Sequence, residues 1–196
     1  MSTSIQIGPR REFQSNELWE MYRLRAKVFK ERMKWDVPVL SGMEIDGYDA
    51  LDPHYLLIKE SNNKVRGCWR LMPTEGPYML CDTFPQLLNG LVAPHDARVW
   101  ELSRFAMDTD GSKGFGFNDI ALESMRSLFL FGKRKGIDLY VTVTTVAIER
   151  MMRRAGIVIE RFGPPMQIGV EKTVALAIFN NEETREALFG QYQQAA

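Results

Sequence analysis

An arginine stands where one helix of this chain should show the core an apolar side chain. Leu18, Tyr22, Arg25 and Phe29 follow the three- and four-residue rhythm of a single helix face, with Met21 and Val28 filling its width. A guanidinium cannot shed its charge, and leaving it unpaired in apolar surroundings costs several kcal/mol. Any fold that buries this helix must therefore bring a carboxylate, an anion or several carbonyls to Arg25. Trp35 and the acidic series Glu44, Asp46, Asp49 and Asp52 follow soon after, interleaved with Met43, Ile45, Tyr48 and Leu51. The N-terminal quarter reads as a site as well as a scaffold.

The 196 residues suffice for one substantial core, so a single domain over residues 1–196 is expected. Hydrophobic residues make up 45% and charged residues 26%, a balance that argues against a disordered or fibrous chain. The 25 basic and 25 acidic side chains cancel, so no global field draws the protein to nucleic acid or membrane, and neither is expected as a partner. Cys68 and Cys81 have neither metal-ligand spacing nor the density of a disulfide scaffold, which points to a reducing cytoplasm. The start carries Arg10, Arg11 and Glu12 without a signal-peptide apolar stretch, and no run approaches the roughly 18 apolar residues of a membrane span. His54 and His95 are isolated, so no metal site is expected.

Ser15 is the expected cap of a helix from about Asn16 to Arg32, and Pro38 and Gly42 open a long irregular stretch. Tyr55 to Lys59 and Val65 to Leu71 read as an antiparallel hairpin. A strand from Val99 to Phe105, a helix from about Asn118 to Lys135 closed by Gly136, and a strand from Leu139 to Thr145 follow. Ala147 to Arg154 reads as helix stopped by Gly156, Val158 to Phe162 and Thr173 to Phe179 as strands, and Thr184 to Tyr192 as a last helix. Strand pairs followed by alternating helix and strand predict an α/β (α+β) fold, a mixed sheet with helices packed on it.

Further features point to chemistry. In a strand, Glu101 and Ser103 face one side while Leu102 and Arg104 face the other, so one segment can both orient polar groups and line an apolar pocket. Arg70 stands on a neighbouring strand, on the same side as Cys68. These charges could form internal ion pairs, but Arg25, Asp46, Asp49, Glu101 and Arg104 in apolar frames together favour a polar ligand pocket. Thr142 and Thr144 share a strand face from which hydroxyls could recognise an oxygen on an apolar substrate, or simply serve strand propensity. The helix after them separates Ile148, Met151 and Met152 from Arg150, Arg153 and Arg154, giving either a solvated face or a docking surface for an acidic carrier protein. The glycine-rich Gly111 to Gly116 segment before a helix could receive phosphate, but Gly111 stands where coenzyme A acetyltransferases usually carry Gln or Arg.

Arg25-x-x-x-Phe29, Trp35, Asp46-x-x-Asp49, Arg70, Phe84 and Glu101-x-x-Arg104 resemble the signature of LuxI-type acyl-homoserine-lactone synthases. The stretches Met43 to Leu51 and Trp100 to Ala106 look most like the LasI-like branch, which uses long 3-oxoacyl chains. The resemblance implies a GNAT-like three-layer fold with a substrate cleft. It implies that acyl-carrier protein supplies an acyl chain to the amine of S-adenosylmethionine, which is a substrate, with no separate cofactor. By the same resemblance Arg25, Phe29, Trp35, Asp46, Asp49 and Phe105 would form the adenosylmethionine pocket, and Glu101, Arg70, Ser103 and Arg104 the catalytic group, with Glu101 the candidate base for the amine. Met79, Leu102, Met125, Thr142, Thr144, Ile148 and Met152 would line the acyl chain, and Arg150 and Arg154 would contact the carrier. A coenzyme A N-acyltransferase without lactonization and a non-catalytic adenosylmethionine-binding regulator are the alternatives.

Overall fold

Residues 3–62, 64–108 and 119–193 are described by the computed structural model. The chain falls into two compact units, Met1–Leu71 with Ser103–Phe115 and Met72–Leu102 with Gly116–Ala196.

The first unit begins with β1 (Thr3–Pro9), a strand absent from the sequence-based expectation. Its only signal is the alternation of Ile5 and Ile7 with polar neighbours. Helix α1 (Ser15–Arg25) is capped by Gln14 rather than Ser15: the Gln14 backbone N–H donates to the Glu17 carboxylate at 2.9 Å, and the Gln14 side chain accepts in return from the backbone of Glu17. The expected single helix to Arg32 changes geometry after Arg25, continuing as a π-helix over Ala26–Arg32. The predicted face survives the change, since Leu18, Met21, Tyr22, Arg25, Val28 and Phe29 are all buried.

The stretch expected to be irregular holds a two-stranded ribbon, β2 (Val39–Leu40) with β3 (Met43–Glu44), and a 3-10 turn at Gly47–Ala50. The predicted hairpin follows as β4 (His54–Glu60) and β5 (Val65–Pro73), with β1 antiparallel to the other edge of β4. Its register sets Tyr55 opposite Arg70 and Leu57 opposite Cys68. These four side chains therefore share one face, and Trp69 takes the other.

The second unit contains the short α2 (Met79–Asp82) and the start of β6 (Val99–Met107), whose last residues belong to the first unit. Next come α3 (Asp119–Lys135), β7 (Leu139–Thr145), α4 (Val146–Arg154), β8 (Ile159–Arg161), β9 (Met166–Ile168), β10 (Glu171–Phe179) and α5 (Glu182–Gln193). Strand β9 lies between the two expected strands Val158 to Phe162 and Thr173 to Phe179, in sequence for which no element was expected. β6 and β7 run parallel, whereas β10 is antiparallel to β7, β8 and β9, so the sheet is mixed as expected. Gly136 and Gly156 take φ of 72° and 76°, the left-handed geometry that ends α3 and α4. The Tyr140 hydroxyl donates to the Leu128 carbonyl at 2.8 Å, which fixes α3 over the face of β7 that also carries Thr142 and Thr144.

Candidate active site

Arg25 finds its partners. Its Nε donates to Glu44 at 2.5 Å, and its two terminal nitrogens grip Asp49 at 2.8 and 2.9 Å in a fork. Neither Arg25 nor Glu44 exposes any of its side chain. Arg70 reaches Asp46 at 2.5 Å and Asp49 at 3.1 Å, and Arg104 reaches Glu44 at 3.0 Å and Asp46 at 2.7 Å. Three guanidiniums thus face three carboxylates, and the cluster is neutral as a whole. Such a network is tolerable in a core because every charge has an opposite neighbour and directed hydrogen bonds.

The cluster is sealed at one end and slightly exposed at the other. Arg25, Glu44, Asp49 and Arg70 have side chains 0 to 2% exposed, but Arg104 and Asp46 reach 9% and 12%. Burial disfavours the ionised form of Asp49, yet the hydrogen bonds and charge of Arg25, the charge of Arg70 and the Tyr55 hydroxyl more than offset this and hold it well below the usual carboxylate range. For Arg25, burial opposes the cation, and Asp49 and Glu44 override it, raising its proton affinity well above the ordinary value. Arg104 moves the other way, because burial and the nearby cations Arg70 and Arg25 outweigh the pull of Glu44 and Asp46.

Strict strand alternation would send Ser103 and Arg104 to opposite faces, and the structure corrects that expectation. Arg104 has φ of 54°, a left-handed conformation in the middle of β6. For a side chain with a Cβ this costs on the order of 1–3 kcal/mol. It breaks the two-residue alternation, so the Ser103 hydroxyl accepts from Arg70 Nε at 3.2 Å while Arg104 also reaches into the cluster. Phe105 is then sent to the far face, stacked on Trp69 with ring centroids 4.2 Å apart. Of the residues expected around adenosylmethionine, Phe105 is the one not gathered with the rest. Phe29 and Trp35 stack with centroids 5.3 Å apart and planes 10° from parallel, and the Arg104 guanidinium lies over the Phe29 ring at 5.6 Å.

In the second unit Glu101 is 1% exposed, and its two carboxylate oxygens accept the backbone N–H groups of Met79 at 3.1 Å and Leu80 at 2.7 Å. It thereby anchors the first residues of α2. The sheet register sets Leu102 beside Thr142 and Thr142 beside Leu176, with Thr144 next along the same face beside Val174. Met79, Leu102, Met125, Thr142, Ile148 and Met152 are all buried. On α4, Arg150 and Arg154 are exposed, whereas Arg153 is held by Glu149, which also takes a forked pair from Arg161 at 2.8 and 2.6 Å. The glycine-rich Gly111 to Gly116 segment lies outside the described residues.

Sequence reasoning missed three members of the first unit's cluster. Glu44 was counted in the acidic series but not as a partner of Arg25 and Arg104. Tyr55 and Tyr22 read as ordinary core aromatics, and only the rule that a buried phenol needs a partner could have singled them out.

A mixed sheet flanked by helices has the fold of an N-acyltransferase. An acyl-CoA N-acyltransferase from Pseudomonas aeruginosa superposes with a TM-score of 0.61 at 14% identity, covering 90% of this chain and 99% of that one, a likeness of fold alone. Residues 10–188 match the autoinducer synthase family. The acyl-homoserine-lactone synthase of Pseudomonas aeruginosa is 52% identical over 188 residues, which cover 95% of this chain and 94% of that protein. The crystal structure of the AHL synthase LasI superposes with a TM-score of 0.90 at 53% identity, covering 96% and 95% of the two chains. BjaI, a CoA-dependent acyl-homoserine lactone synthase solved with SAM and isopentyl-CoA, gives 0.87 at 27% identity and coverage of 98% and 90%. The chain belongs to the autoinducer synthase family: it is an acyl-homoserine-lactone synthase, an acyltransferase that makes quorum-sensing signals.

Proposed function

We propose that the chain acylates the amine of S-adenosylmethionine with a medium to long 3-oxoacyl group from acyl-carrier protein, then lactonizes the product. The observation that carries the adenosylmethionine assignment is the slightly exposed Asp46–Arg104 end of the cluster beside the stacked Phe29 and Trp35. One acid and one cation side by side complement the ammonium and carboxylate of an amino acid, and the aromatic pair suits a sulfonium or an adenine. Arg25, sealed from solvent, acts by holding Glu44 and Asp49 in place rather than by touching the ligand.

In the first step the neutral amine attacks the thioester carbonyl. A C–N bond forms, the C–S bond breaks, the thiolate leaves on the carrier and the amine loses a proton. In the second, the methionine carboxylate attacks the γ-carbon, closing the ring as neutral methylthioadenosine departs. Arg104 and Ser103 would orient that carboxylate for the displacement. Glu101, each of whose oxygens accepts a hydrogen bond from a backbone N–H, fixes Met79 and Leu80 beside the acyl chain; proton removal through its remaining lone pairs is the competing role. Thr142 and Thr144 would meet the 3-oxo group among Leu102, Met125, Ile148 and Met152. Exposed Arg150 and Arg154, which have no ion-pair partner among the described residues, suit the acidic surface of a carrier protein. The reaction needs no resident cofactor.

Incubation with adenosylmethionine and either acyl-carrier or acyl-CoA thioesters, across chain lengths with and without the 3-oxo group, tests this by mass spectrometry. Acyl-homoserine lactone and methylthioadenosine should appear together, fastest with the 3-oxoacyl carrier. Preferential turnover of acyl-CoA would overturn the carrier assignment, and preference for unsubstituted chains the role of the threonines.

A further inference from the structure

Asp49 is the most heavily coordinated carboxylate of the cluster. Its Oδ1 accepts from Arg25 at 2.8 Å, Arg70 at 3.1 Å and the Tyr55 hydroxyl at 2.6 Å, and its Oδ2 accepts from Arg25 at 2.9 Å and the Asp46 backbone N–H at 2.9 Å. Both arginines end flexible side chains. Tyr55 is different: it is rigid, fully buried and fixed on β4 directly opposite Arg70. Its single hydroxyl hydrogen goes to Asp49. The contact of 3.3 Å between the Tyr22 and Tyr55 hydroxyls must therefore be donated by Tyr22. The two rings meet edge to face, with centroids 6.5 Å apart and planes at 86°, which restrains both phenols.

The direction of donation thus runs one way, from Tyr22 through Tyr55 into Asp49. Asp49 is tied to the rest of the cluster because its Oδ2 accepts from the backbone N–H of Asp46, whose carboxylate forms the slightly exposed end of the cluster with Arg104. We infer that Tyr22 and Tyr55 form a serial hydrogen-bond relay that sets the plane of the Asp49 carboxylate, making Tyr55 a positioning residue for adenosylmethionine affinity. The inference rests on the assignment of the Asp46–Arg104 end to that substrate. Burial and the neighbouring Asp49 charge push the Tyr55 phenol far above its ordinary value, so it remains a donor throughout the working pH range.

The test is calorimetric titration of adenosylmethionine into the full chain for the wild type, Tyr22→Phe, Tyr55→Phe and the double variant, with steady-state KM values for both substrates. Tyr55→Phe should weaken adenosylmethionine binding about three- to tenfold, the worth of one net hydrogen bond, and leave the KM for the acyl donor unchanged. Tyr22→Phe should weaken it less. The double variant should match Tyr55→Phe, because a relay cut at Tyr55 leaves Tyr22 nothing to act on. Wild-type affinity in Tyr55→Phe, additive losses in the double variant, or an equal rise in both KM values would each overturn the relay. Wild-type protein that binds no adenosylmethionine would instead overturn the site assignment, and the relay with it. Should Tyr55→Phe fail to fold, Tyr22→Phe decides: a raised Kd for adenosylmethionine with unchanged acyl-donor KM supports the relay, and an unchanged Kd refutes it.

Discussion

Replacing Asp49 with asparagine removes one negative charge from a cluster of three against three. Arg25, with no exposed surface, would lose one of its two carboxylates and keep Glu44, and Arg70 would keep Asp46 and the Ser103 hydroxyl. The amide could still accept from Tyr55 and one guanidinium nitrogen. Its own N–H groups, however, would face either the second Arg25 nitrogen or the Asp46 backbone N–H, both of them donors. Breaking a buried pair by removing one partner costs about 3–5 kcal/mol, because the stranded charge retains its desolvation penalty. In a chain of this size that corresponds to a melting-temperature loss of roughly 6–20 °C. Asp52→Asn is the matched control. Asp52 pairs with Arg11 at 2.5 Å, but the side chains are 49% and 72% exposed, so solvent screening leaves the pair worth no more than about 1 kcal/mol. Urea unfolding followed by tryptophan fluorescence measures both variants, with Trp35 and Trp69 reporting from the same unit. Similar small losses in the two would refute the claim that burial, not ion-pair distance, sets the energy of this cluster.

Acidification should act through the same carboxylate. Because the folded-state value of Asp49 lies below its unfolded value of about 3.9, the stability it contributes is complete above that pH and is lost as pH falls toward the folded value. Asp49→Asn should therefore flatten the acid limb of a stability profile, and an unchanged limb would assign acid unfolding to other groups. Glu101→Ala strands two buried backbone N–H groups at the start of α2, whereas Glu101→Gln keeps an acceptor for one of them. If anchoring is the main role, turnover should fall far more in the alanine variant; comparable losses in both would make the carboxylate itself chemically essential. Charge reversal of Arg150 and Arg154 together should raise the KM for the acyl-carrier substrate several-fold and leave that for adenosylmethionine unchanged. A parallel rise in both would remove α4 from carrier recognition.

What the sequence reveals and what it hides follow from the range of the forces involved. A charge in an apolar stripe is a local contradiction, and Arg25 announces from its own helix that acids must come to it. The nearby Asp46 and Asp49 complete that reading, as do Arg70 and Arg104 on strands whose β-branched and aromatic content is plain. Glu44 was harder to place, because nothing local distinguishes an acid with no exposed surface from its exposed neighbours; only folding brings Arg104 to it across 60 positions. The pairing of Tyr55 with Asp49 depends on strand register in the same way. Arg104 escaped for a different reason. Alternation is a rule for extended residues, and an arginine at positive φ carries a local penalty that sequence preference counts as improbable. That penalty is met by two carboxylates, Glu44 and Asp46, and its effect is to turn Ser103 and Arg104 toward the same cluster while sending Phe105 away. The point where the sequence rule failed is thus the point where the chain departs from its cheapest backbone to place two polar side chains together, and such departures persist where the surrounding contacts fix them and a function uses them.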